Sequence, residues 1–147
     1  MRSSSPLHLS VAWRFRAALA AVVIPPLVSV TSFARLASRL GRAPGKLAAG
    51  DAPDDASLAR WVDGLLRRLP RPWRRTCLKR TAVLYHLLRR AGRPVEIWIG
   101  VRRDTAGTLV AHAWLMRDGT PYLESASDPV PLHAVIARFP ASAASVG

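Results

Sequence analysis

Thr76-Cys77-Leu78-Lys79-Arg80-Thr81-Ala82-Val83-Leu84-Tyr85-His86-Leu87-Leu88-Arg89-Arg90-Ala91-Gly92 is the stretch that decides the architecture. Leu84, Leu87, Leu88 and Ala91 recur at the spacing of one helical face. Thr76 can cap the start, because its hydroxyl accepts a free amide of the first turn. Gly92 can close the end. Cys77 lies seven residues before Leu84 and so shares that buried stripe, at its front end. The single cysteine of the chain thus sits where a helix begins.

The residues that follow change period. Val95, Ile97, Ile99 and Val101 alternate with Glu96, Trp98 and Gly100, which predicts a strand with one buried face. A turn over 102–108 leads to a second strand over 109–116. Arg117-Asp118-Gly119-Thr120 reads as a hairpin turn, and 121–125 as a third strand. The tail from Asp128 holds Pro129, Pro131 and Pro140 and is expected to carry one short helix over 132–138.

Upstream, Asp54 or Asp55 can cap a helix in which Leu58, Trp61, Val62, Leu65 and Leu69 form the apolar face; Pro70 and Pro72 end it. Before that, 11–24 and 27–40 read as two helices broken at Pro25-Pro26. The apolar run 17–30 has arginines on both sides and is broken by the prolines. It is read as part of a folded segment rather than as a signal peptide or membrane span. Helices first and an antiparallel sheet after them predict an α+β fold. We divide it into an N-terminal helical segment, 1–50, packing on a core of residues 51–147.

The bulk properties narrow the function without choosing it. At 147 residues and 50 % hydrophobic content the chain is a folded domain rather than a disordered one. One cysteine forbids an internal disulfide, which fits a reducing cytoplasm. No paired Cys/His spacing marks a metal site, and none is expected. The net charge of +13 favours an acidic peptide, an anionic surface or nucleic acid as a partner.

The chemistry is carried by three residues. A thiolate is the reactive form of cysteine, and a helix start with cations beside it favours that form. A cysteine in mid-helix is usually core packing. One at a helix start, with a strand histidine downstream, reads as a nucleophile. His112, flanked by Ala111 and Ala113, is the base; on its own it would read as a half-buried structural histidine. Glu124 is the orienting acid, with Asp128 as its rival. A two-residue turn at Asp118-Gly119 would pair His112 with Ser125 and send Glu124 to the other face. The triad therefore demands an odd-length turn or a bulge between Arg117 and Pro121. Trp73, Arg74, Arg80 and Trp114 are the candidate substrate contacts. A reading from another class has Arg67, Arg68, Arg71, Arg74, Arg75, Lys79 and Arg80 tracking phosphates, with Trp73 stacking on a base.

The run from Thr76 to Gly92, Ile99-Gly100-Val101, Ala111-His112-Ala113-Trp114 and Asp118-Gly119 occur in an order that resembles the transglutaminase-like protease of lasso-peptide biosynthesis. The resemblance spans roughly Leu58 to Glu124. It implies a papain-like or transglutaminase-like core and a cysteine protease that removes the leader of a ribosomally made precursor. It implies Cys77 as nucleophile and His112 as base. The family commonly has aspartate where this chain has Glu124. It implies no cofactor. The expected partners are the precursor peptide, a separate leader-recognition protein and a lasso cyclase, with no nucleic acid and no stable membrane insertion, in the cytoplasm. An amide-forming transferase with the same triad is the neighbouring alternative.

Overall fold

The structure, a computed structural model, describes residues 9–40, 53–70, 76–124 and 133–139. Four helices precede a four-stranded sheet: α1 (Val11–Val30), α2 (Phe33–Leu40), α3 (Asp55–Arg68), α4 (Cys77–Arg90), β1 (Glu96–Arg103), β2 (Leu109–Arg117), β3 (Thr120–Tyr122) and β4 (Ala134–Phe139). The sheet order is β3-β2-β1-β4, and every pairing is antiparallel. The fold is α+β, as the succession of periods predicts.

Local signals fix the helix ends. Asp54 is the cap of α3: its carboxylate accepts the Ser57 amide at 2.9 Å. The Ser57 hydroxyl, donating to the same carboxylate at 2.6 Å, and then that amide hold the Asp54 carboxyl below the usual carboxylate range. Thr76 caps α4 by accepting the Lys79 amide. Gly92, at φ +77°, turns the chain out of α4, and the Arg93 amide donates back to the Leu88 carbonyl.

One apolar core joins the helices to the sheet. Trp13, Ala17, Ala21 and Ile24 of α1, Leu58, Val62 and Leu66 of α3, and Leu84, Leu87 and Leu88 of α4 meet Val95, Ile97 and Leu115. The cluster contains residues on both sides of position 50. A second, smaller cluster of Trp114 and Met116, with Trp98 against it, lies on the opposite face of the sheet.

Two elements differ from the sequence reading. α1 runs straight through Pro25-Pro26, and the break falls at Thr31-Ser32 instead. Each proline removes a ladder donor, but Ile24 and Pro25 are buried, and tertiary packing outweighs the local penalty. Residues 134–138 of the short helix expected over 132–138 instead belong to β4, on the free edge of β1. Val135 and Ile136 suit a strand, and pairing with β1 supplies hydrogen bonds that a six-residue helix cannot match.

Candidate active site

α4 carries Cys77 and β2 carries His112, with Glu124 just past β3; of the three, His112 and Glu124 are brought into contact. Cys77 is the first residue of α4 and is partly exposed. The cap uses the Lys79 amide, and the Arg80 amide bonds the Thr76 carbonyl at 3.0 Å. The amides of Cys77 and Leu78 remain beside the thiol as the donors left over at the helix start.

Arg80 and Thr81 lie on the next helical turn, on the same side as Cys77. The buried Thr81 hydroxyl donates to the Ala113 carbonyl at 3.1 Å, tying α4 to β2 beside His112. Arg80 is also buried. Its Nε donates to Asp63 Oδ1 at 2.7 Å and its Nη2 to Asp63 Oδ2 at 3.2 Å. Nη2 also donates to the Leu123 carbonyl at 2.9 Å, and Nη1 faces Glu124 Oε1 at 3.6 Å.

Glu124 in turn meets His112: Oε2 lies 3.3 Å from Nε2. Burial pushes the Glu124 carboxyl above its ordinary range; Arg80 and then His112 oppose that shift. With the carboxylate accepting, Nε2 carries the proton and Nδ1 is left as the basic nitrogen. The thiol and the imidazole are not hydrogen-bonded in this geometry.

Glu124 reaches His112 by an unexpected route. The hairpin turn is the two-residue kind: Asp118 and Gly119 both have positive φ, and Arg117 pairs with Thr120. No odd-length turn or bulge occurs between Arg117 and Pro121. The register change falls later, at Leu123, whose φ of +57° is left-handed. One such residue ends β3 and turns the next side chain to the other face, as a bulge would. Arg80 holds the carbonyl of that residue.

The surroundings of His112 are aromatic. Its ring stacks on Trp114 at 5.8 Å and lies 5.4 Å from His133. Gly100 stands opposite His112 on β1, and a Cβ there would collide with Trp114 and His133. Glycine is what allows the three rings to gather over the strand.

Of the residues expected to contact substrate, Arg80 and Trp114 are both buried. Arg80 is engaged by Asp63, Leu123 and Glu124, which also removes it from a phosphate track. Trp114 packs against His112, His133 and Trp98. Trp73 and Arg74 lie outside the described residues, as do Arg71, Arg75, Asp128 and Ser125. Asp63, Thr81, Gly100 and His133 are not among the site candidates taken from the sequence. Asp63 left one signal: a carboxylate next to the buried Val62 on α3 needs a partner. Among the described residues no group of His, Cys, Asp and Glu is arranged to hold a metal ion.

Searches of curated proteins and of solved structures each returned no match. The profile of the transglutaminase-like superfamily matches residues 18–137, from within α1 into β4. That superfamily consists typically of cysteine-based enzymes and includes both proteases and acyl transferases. The match covers well over half of the chain, and the protein belongs to the transglutaminase-like superfamily.

Proposed function

We propose that the protein is a cysteine protease that cuts the leader from a lasso-peptide precursor, with Cys77 as nucleophile, His112 as base and Glu124 as orienting acid. The observation that carries the chemistry is the 3.3 Å contact between His112 and Glu124, braced by Arg80 from the helix that begins with Cys77. The substrate class rests on the ordered motifs from Thr76 to Gly119.

In this mechanism Nδ1 of His112 takes the thiol proton and the sulfur attacks the carbonyl of the leader–core bond. The oxyanion forms at the start of α4, within reach of the Cys77 and Leu78 amides. Removing one such donor typically costs ~3 kcal/mol of barrier. His112 passes its proton to the departing core amine, which leaves a thioester on Cys77. A water molecule, deprotonated by His112, then releases the leader as a carboxylate. Glu124 keeps the imidazole in the required tautomer throughout. A separate leader-recognition protein delivers the precursor, and a cyclase closes the freed core, all in the cytoplasm.

The test is incubation with precursor peptide and recognition protein, read by mass spectrometry. Hydrolysis gives leader and core whose masses sum to the precursor plus one water. Transfer to an added amine would instead mark an amide-forming enzyme. Cys77→Ala is expected to abolish cleavage while the melting temperature stays unchanged. Cleavage by the folded variant would refute the assignment.

A further inference from the structure

α1 is built inside out for a surface helix. Its inner residues Trp13, Ala17, Ala20, Ala21 and Ile24 are buried and mostly small. The larger side chains point outward: Val11, Phe15, Leu19, Val22, Val23 and Val30 are exposed, Phe15 at 68 % and Leu19 at 54 %. Steps of three and four residues align them along one side of a helix ~30 Å long. An apolar stripe of that length is uncommon on a soluble monomer unless something covers it.

The charges around the stripe indicate what covers it. Arg14 and Arg16 flank Phe15, each ~100° around the helix from it. Beside the stripe, α1, α2 and α4 enclose a groove of about 350 Å³ lined, among the described residues, by Leu40, Leu87, Arg16 and Arg90 and by no carboxylate. The first 50 residues contain six arginines, one lysine and no aspartate or glutamate. A protein partner would usually be met by a mixture of polar and apolar groups. The exposed side of α1 instead offers hydrocarbon with two cations, Arg14 and Arg16, beside its N-terminal part, a pattern suited to the surface of an anionic bilayer.

Lying on the surface fits better than crossing it. α1 is long and apolar enough to span a membrane. To do so, Trp13, Ala17, Ala21 and Ile24 would have to leave the core they share with Leu84 and Leu88. Resting on the surface keeps that packing and covers only the stripe.

We propose that the outer face of α1 docks the folded protein on anionic membranes as a peripheral protein. This surface stands apart from the site at Cys77 and does not depend on the substrate assigned to it. The experiment is co-sedimentation of the full chain with vesicles of phosphatidylcholine alone and of phosphatidylcholine with phosphatidylglycerol. Binding is expected only to the anionic vesicles and is expected to weaken as salt rises. Phe15→Ser with Leu19→Ser, both at exposed positions, should lower the partition coefficient at least about tenfold. Circular dichroism should show the double variant folded. Absence of binding by the wild type would overturn the proposal, as would equal binding by the double variant. Resistance of the bound protein to alkaline extraction would replace docking with spanning. A concentration-dependent dimer that the double variant dissolves would assign the stripe to a second copy of the chain.

Discussion

Gly100→Ala pits two effects of opposite sign against each other. In the interior of a strand, alanine is favoured over glycine by ~0.5–1 kcal/mol, because glycine loses more freedom on folding. At position 100 the added Cβ would lie 2.8 Å from Trp114 Cη2, 2.9 Å from His133 Cβ and 3.0 Å from the Ala134 carbonyl oxygen. Comfortable contact between carbons is ~3.5–4.0 Å. Two of the three neighbours are backbone or fixed directly to it, and Trp114 is buried, so relief requires β4 to shift. Overpacking of this kind costs ~1–3 kcal/mol. The collision outweighs the propensity, for a net loss of ~1–2 kcal/mol and a drop in melting temperature of roughly 3–6 °C. Gly64→Ala is the control: nothing lies within 4 Å of its new Cβ, and it sits inside α3. It should gain ~0.5–1 kcal/mol. Thermal melts followed by circular dichroism measure both. Displacing Trp114 also disturbs the ring stacked on His112, so Gly100→Ala should lower kcat of the proposed cleavage more than it changes KM. A Gly100→Ala melting temperature at or above that of the wild type would refute the reasoning.

Three further outcomes follow from the site. Burial raises the carboxyl of Glu124, so ionising it costs the folded state more than the unfolded one; stability from this group is complete below the ordinary carboxylate range and is lost as pH rises through the raised value. Glu124→Gln should therefore melt above the wild type near pH 7, by a margin that shrinks on acidification, while cleavage falls; a constant margin in melts across pH would count against this. Arg80→Met removes the cation shared by two partly buried carboxylates, Asp63 and Glu124, and should cost at most ~3–5 kcal/mol in urea titration, because Glu124 keeps His112, whereas Asp63→Asn with Arg80→Met should recover part of that loss. Thr76→Ala removes the cap of α4 and should cost ~1 kcal/mol in the same titration, with reduced cleavage because Cys77 is the next residue.

How far the sequence could be read depended on how local each cause was. The ends of α3 and α4, the alternation of β1 and β2 and the Asp118-Gly119 turn are set by neighbouring residues, and all are visible in the chain as written. α1 and β4 are not, because burial of Ile24 and Pro25 and pairing with β1 decide them from a distance. Cys77, His112 and Glu124 could be singled out by residue type and position. Their support could not: nothing near Leu123 announces a left-handed leucine, since that region is generally left to glycine or asparagine. Arg80 looked like a surface cation among other cations until Asp63, 17 residues earlier, supplied a partner.

The placement of Cys77 and Arg80 three residues apart on α4 has a mechanical consequence. One rigid rod bears the sulfur and, a turn later, the guanidinium that steadies the acid and its preceding carbonyl. Sliding that rod along the sheet would displace the sulfur and loosen the contact between Glu124 and His112 in the same movement. Under the proposed mechanism activity should therefore vanish in a single step under strain, with no half-assembled form that still activates Cys77.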